Sequence, residues 1–247
     1  MNPKTKPSRL KPVGKPGERV YAIGDVHGCL TELKSLLLKL KADNDYRDTA
    51  KTYLVFLGDL IDRGPDSKGV IDLLMSFPYQ FAQPLFIMGN HEEMMVRGLL
   101  SEPELLPDWL TYGGYVCAES YGLSRGKLLG QDPNALQHIL RSAIPRRHVD
   151  FMAGFLDSVQ FGDFLFTHAG IRPEVPLEEQ NSREMRWIRG PFLNYEGDHG
   201  VLVVHGHTIS EEIDVRPNRI GIDTGAYETG KLSAVCVEDD KVSFFTC

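Results

Sequence analysis

Leu54-Val55-Phe56-Leu57-Gly58-Asp59-Leu60-Ile61-Asp62-Arg63-Gly64 reads as a strand, then a loop that delivers two carboxylates and a guanidinium in quick succession. The β-branched and aromatic apolar run fits a strand buried on both faces, and Gly58 breaks it. On its own the stretch is equally compatible with an ordinary turn carrying a surface ion pair, so its neighbours decide the reading. Upstream, Val20-Tyr21-Ala22-Ile23 is a second short buried strand, interrupted by Gly24-Asp25-Val26-His27-Gly28. A helix follows, with Leu30, Leu33, Leu36, Leu37 and Leu40 at helical spacing. Downstream, Asp66-Ser67 offers an N-cap for a helix through Val70, Leu73 and Leu74. A third cycle comes as Leu85 to Met88, then Gly89-Asn90-His91-Glu92, then a helix through Met94, Met95 and Leu99. Repeated strand–loop–helix units predict a layered α/β fold whose strand ends gather polar residues along one edge.

Between about residues 98 and 157 the strand pattern stops. Trp109, Leu110, Leu136, Ile139, Leu140, Phe151 and Phe155 fall in helical patterns broken by Pro and Gly, which predicts a helical cap inserted in the α/β domain. Strands return before Thr167-His168-Ala169-Gly170, before His205-Gly206-His207-Thr208 and before Asp223-Thr224-Gly225, and residues 232–237 and 242–245 read as a closing hairpin. With no intervening helices, this half is expected to form a second, more antiparallel sheet.

Residues 1–17 are rich in Pro and Lys and are expected to form a disordered tail, leaving one domain over residues 18–247. Hydrophobic residues make up 42% of the 247 and charged ones 25%, as in an ordinary globular chain. The formal net charge of −7, without a basic run, argues against nucleic acid as a partner. Cys29, Cys117, Cys236 and Cys247 show no paired spacing, against a zinc ribbon or a disulfide framework. No apolar run reaches membrane-spanning length and no signal peptide is visible, so the expectation is a cytoplasmic protein with no membrane partner. The oligomeric state is not legible.

The residues that follow the strands are Asp25, His27, Asp59, Asn90, His91, His168 and His207, with Asp62 and Arg63 beside them. Carboxylate, imidazole and amide oxygen without thiolate suit Mn²⁺, Fe or Zn²⁺. Asp25 and His27 flank one residue, so an extended backbone would point both the same way. Each piece alone has a bland explanation as a turn, a helix start or a core histidine. Their joint occurrence, each time after an apolar strand, points to a metal centre.

GDVHG at residues 24–28, GDLIDRG at 58–64 and GNHE at 89–92 resemble the motifs of PPP-type metallophosphatases, with THAG at 167–170 and HGHT at 205–208 extending the likeness. That group includes serine/threonine phosphoprotein phosphatases, their bacterial and phage relatives, and symmetrical diadenosine tetraphosphatases. The resemblance implies a metallophosphoesterase fold, two mixed β-sheets in a central sandwich flanked by helices. It further implies two divalent ions, Mn²⁺ first with Fe or Zn as alternatives. Asp25, His27 and Asp59 would hold one ion, and Asp59, Asn90, His168 and His207 the other. His207 is preferred to His205 because it stands in the Gly-His-Thr context. Two dications about 3.5–4 Å apart can share a hydroxide and clamp a phosphate in line. By the same resemblance Arg63 and Arg189 bind the phosphate, His91 protonates the leaving group and Asp62 orients His91; Arg183 and Arg186 compete with Arg189. The activity expected first is hydrolysis of a phosphorylated protein or peptide by a serine/threonine, or dual-specificity, phosphatase. The enzymatic alternative is a symmetrical diadenosine tetraphosphatase or related nucleotide polyphosphate hydrolase, for which Arg146, Arg147 and Tyr227 are candidate contacts. A pseudo-phosphatase that only binds phosphoproteins is disfavoured, because no proposed ligand is missing.

Overall fold

The computed structural model describes residues 11–247, and the first ten residues of the expected tail lie outside it. The chain builds two five-stranded sheets. In chain order the strands are β1 (Glu18–Ile23), β2 (Lys51–Phe56), β3 (Gln83–Phe86), β4 (Ser158–Phe161), β5 (Phe164–Thr167), β6 (Leu202–His205), β7 (Asp214–Val215), β8 (Arg219–Gly221), β9 (Ser233–Glu238) and β10 (Lys241–Thr246). One sheet has the order β10-β9-β1-β2-β3 and the other β4-β5-β6-β8-β7.

Alternation along the strands explains the layering. Val20, Ala22, Val55 and Leu57 face Phe164, Phe166, Val204 and Ile222 in a core shared by the two sheets. The intervening Tyr21, Ile23, Leu54 and Phe56 point the other way, against Leu33, Leu36, Leu37 and Leu40 of helix α1 (Leu30–Tyr46) and Val70, Ile71 and Leu74 of helix α2 (Ser67–Ser76). Leu165 and Val203 on the far face of the second sheet are covered by Met185, Ile188 and Phe192. The result is an α/β fold of two mixed sheets in a central sandwich flanked by helices, as the motif resemblance implied. As the sequence suggested, Asp66 caps α2 by accepting the Gly69 N–H at 2.7 Å.

Two expectations fail. The second sheet is not the more antiparallel: β5–β6 and β6–β8 are parallel while β4–β5 and β7–β8 are antiparallel, and the first sheet has the same balance. The segment between β5 and β6 packs on the outer face, and the chain leaves β6 for the edge strand β7 before turning back into β8, so each return brings the next strand in parallel. Residues 11–17 are also not a free tail. Val13 N–H donates to Asp163 Oδ2 (2.9 Å), Asp163 N–H donates to the Val13 carbonyl (2.9 Å), and Gly14 N–H donates to the Asp239 carbonyl (2.6 Å). These backbone groups strap a turn of one sheet to a turn of the other.

From Pro103 to Ala153 the described chain contains only helical segments, including Leu106–Trp109, Pro133–Ala143 and Arg146–Ala153. Trp109, Leu110, Cys117, Leu136, Leu140 and Met152 share one apolar cluster with α1, α2 and helix α3 (Asn90–Leu100). No helix among the described residues is long and apolar enough to cross a membrane.

Candidate metal centre

The C-terminal ends of β1, β2, β5 and β6 and the first turn of α3 meet at one rim of the sandwich. This brings together Asp25, His27, Asp59, Asn90, His91, His168 and His207, all buried. The loops there are strained. His27 (φ 44°), Asp59 (φ 48°), Asp62 (φ 73°), Arg63 (φ 64°) and His207 (φ 64°) all occupy the left-handed region, which costs a non-glycine residue on the order of 1 kcal/mol or more. His27 is therefore not in the extended backbone that would have aligned it with Asp25.

A network that the motifs do not advertise holds these loops. The Glu92 carboxylate, fully buried, accepts the N–H groups of Asp59 (2.8 Å), Leu60 (2.8 Å), Ile61 (3.2 Å) and Gly89 (3.1 Å). Val26 and His27 N–H both donate to the Asp59 carbonyl, at 3.1 and 2.8 Å. Gly58, at φ 97°, lies where a Cβ would strike the Gly89 backbone, so the two loops touch only through glycine.

Backbone carbonyls set the tautomers. His27 Nδ1–H donates to the Ile61 carbonyl (2.7 Å) and His168 Nδ1–H to the Leu57 carbonyl (2.8 Å), leaving each Nε2 to face the pocket as an acceptor in the neutral ring. Asp59 Oδ2 lies 3.6 Å from His27 Nε2, 3.5 Å from His168 Nε2 and 3.9 Å from His91 Nε2. His168 Nε2 is in turn 3.0 Å from Asn90 Oδ1 and 3.2 Å from His207 Nδ1. His27, Asp59 and His91 form one group whose ligand atoms lie within 4.8 Å of one another; Asp59, His168 and His207 form a second. Lone pairs so gathered repel unless a cation sits among them, and oxygen with imidazole nitrogen suits a divalent metal. The donor set thus fits the metal that the motifs imply.

Burial and neighbouring charges shift these groups in opposite directions. Burial pushes His27 down to about 3, and burial with the neighbouring His168 pushes His207 down to about 2. Burial alone would raise Asp59, but His168 and His91 hold it well below the usual carboxylate range. Asp25 stands apart from both groups. Its carboxylate accepts the His207 N–H at 3.0 and 3.2 Å, and burial with the charges of Asp223 and Asp59 raises its pKa well above normal.

Asp62 is fully buried, and its Oδ2 accepts both His91 Nδ1–H (2.7 Å) and the indole N–H of Trp109 (2.9 Å). Arg63 reaches His91 Nε2 (3.1 Å) through Nη2 and donates to Tyr227 Oη (3.0 Å) through Nη1, lying over that ring. Arg189 is at the rim, with Nη1 3.4 Å from Thr208 Oγ1. Its competitor Arg186 is tied to Glu93 and Asp157. Arg146 pairs with Asp150 and Arg147 approaches Asp72, so neither is oriented by the site. His205 turns to the Gly206 carbonyl and Arg219.

The description "Calcineurin-like phosphoesterase" matches residues 18–236, spanning the motifs and both sheets. The chain belongs to the calcineurin-like phosphoesterase family. Among its relatives is the asymmetrical bis(5'-nucleosyl)-tetraphosphatase PrpE of Oceanobacillus iheyensis, 30% identical over 239 residues that cover 87% of each chain. Serine/threonine-protein phosphatase 1 of Salmonella typhimurium is 37% identical, but over 95 residues, or 38% of each chain. A solved structure described as a candidate diadenosine tetraphosphatase superposes with a TM-score of 0.63 at 21% identity, covering 92% of this chain and 93% of that one, and supports the fold. As a calcineurin-like phosphoesterase the protein is a phosphoester hydrolase of metal-dependent type. The relatives matched over most of their length are named bis(5'-nucleosyl)-tetraphosphatases, asymmetrical and symmetrical, which favours the alternative nucleotide reading over the phosphoprotein phosphatase expected first.

Sequence reasoning passed over Glu92, Trp109 and Asp223. Asp223, buried beside Asp25, follows β8 just as the other acidic residues follow their strands, a signal that was available. Glu92 lay in the GNHE motif without a role, and Trp109 lay far away in the helical insertion.

Proposed function

We propose that this protein hydrolyses a nucleoside polyphosphate of the bis(5'-nucleosyl) tetraphosphate class. The observation that carries this reading is the likeness to a tetraphosphatase over 87% of each chain, joined to a centre built around one shared carboxylate, Asp59. In this reading Asp25, His27, Asp59, Asn90, His168 and His207 hold two divalent cations, with Mn²⁺ the preferred ion. Such cations supply Lewis acidity toward phosphate oxygens and lower the pKa of water.

The chain's own residues do the rest. Arg63, held between His91 and Tyr227, presents its guanidinium to two phosphate oxygens, and Arg189 closes on the phosphate from the opposite rim. His91 gives Nδ1–H to Asp62, so Nε2 is the atom that faces the pocket and passes a proton to the departing oxygen. Asp62, fixed by Trp109, holds that ring in place.

One observation favours the phosphoprotein reading. A buried, carboxylate-oriented acid is needed most by a poor leaving group such as a serine alkoxide, and least by a nucleotide phosphate. A hydrolysis panel with added Mn²⁺ separates the two: diadenosine tetraphosphate, phosphoserine and phosphotyrosine peptides, and p-nitrophenyl phosphate, compared by kcat/KM. The tetraphosphate is expected to lead by at least tenfold. A phosphopeptide in that position would replace the nucleotide reading.

A further inference from the structure

A groove of about 420 Å³ lies between the helical insertion and the helix Ser182–Trp187, lined in part by Glu93, Leu105, Tyr112 and Trp187. It is walled by two large aromatic rings open to solvent, Tyr112 at 54% and Trp187 at 36% exposure. Both residues adjoin the centre. The Tyr112 carbonyl accepts Arg63 Nε at 3.4 Å, and the Trp187 ring stands edge-on to His207 with centroids 6.5 Å apart. The Trp187 indole N–H donates to Glu93 at 2.7 Å, which holds the ring in its orientation. Glu93 is matched by Arg186 (2.9 Å) and Arg97 (3.4 Å), so the floor of the groove is not a bare anion. Arg183 and the carboxylate of Asp108 complete the lining.

We infer that this groove is a nucleobase subsite. The base lies against Tyr112 and Trp187, and its phosphate chain passes Arg63 into the metal centre. Asp108 provides an acceptor for an exocyclic amine. The Trp187 ring, already fixed by its hydrogen bond to Glu93, loses little freedom on stacking, and aromatic stacking accepts any base. A peptide backbone finds less here, because Met94, Leu105, Tyr112 and Trp187 lie in helical segments whose N–H groups serve those turns instead of presenting a sheet edge.

The inference rests on the nucleotide reading above, and two measurements keep the two apart. The first compares AMP with ribose 5-phosphate as inhibitors of p-nitrophenyl phosphate hydrolysis by the unaltered protein. AMP is expected to inhibit at roughly tenfold lower concentration, because only AMP carries the base. Equal inhibition overturns the subsite. The second takes the ratio of kcat/KM for diadenosine tetraphosphate to that for p-nitrophenyl phosphate in Tyr112→Ala and Tyr112→Phe. About a tenfold fall in the Ala variant, recovered in Phe, supports the subsite; equal losses on both substrates, or none, overturn it. If the unaltered protein prefers phosphopeptides while AMP still outperforms ribose 5-phosphate, the substrate reading fails and the base subsite stands.

Discussion

At the scale of single residues, the site depends on side chains that never touch a substrate. Glu92 joins the loop after β2 to the start of α3 through four N–H groups. In Glu92→Gln one oxygen becomes an NH₂ that faces donors it cannot satisfy, a loss of about 2 kcal/mol. We expect a lower Tm by calorimetry and a weaker Mn²⁺ titration; an unchanged metal affinity would reduce Glu92 to a fold element. For His91→Ala, turnover of alkyl phosphates should fall by about tenfold more than turnover of aryl phosphates, whose leaving groups need less protonation. Equal losses on the two would remove the proton-donor role. The motif residues were legible because each stands directly after an apolar strand. Glu92's partners and Trp109 were not, since a hydrogen bond across 47 positions leaves no trace in local spacing. The left-handed backbone at His27 and Asp59 was equally hidden, because neither is glycine.

At the scale of elements, local pattern was a good guide to existence and a poor one to direction. Leucine spacing located α1, and Asp66 located the start of α2. The parallel pairing of β5, β6 and β8 depends on how the chain returns, and periodicity says nothing of that. Pairing between β1 and β9 is reinforced by buried Arg19, which donates to Glu238 at 2.6 Å. That hydrogen bond, with help from Arg47, holds the Glu238 carboxyl below its ordinary value of 4.5. A depressed folded pKa contributes stability that is present above about pH 4.5 and is lost as pH falls through the folded value. Glu238→Gln should therefore lower Tm at pH 7, where the contribution is fully present, and converge with the unaltered protein at acid pH, which flattens the acid limb of Tm against pH. An acid limb as steep as that of the unaltered protein would assign the effect to other carboxylates.

At the scale of the molecule, the proposed ligands come from both sheets: Asp25 and Asp59 follow strands of the first, His168 and His207 strands of the second. A cation shared among them adds stability by mass action, about 2.7 kcal/mol when free metal is a hundredfold above its dissociation constant. In a chain of this size that corresponds to a rise in Tm of roughly 5–10 °C on adding Mn²⁺ to chelator-treated protein. A Tm indifferent to metal would argue against cations bridging the two sheets.

The strap at residues 11–17 ties the turn after β4 to the turn after β9. Glu238, beside that second turn, pairs with Arg19 at the start of β1, so the strap closes the rim opposite the strand ends that carry the ligands. The sandwich is thus strapped by its own chain at the rim away from the proposed ligands. Stripping metal from the opposite rim is expected to leave that strap in place, so chelator-treated protein should stay folded and bind metal again when it is returned.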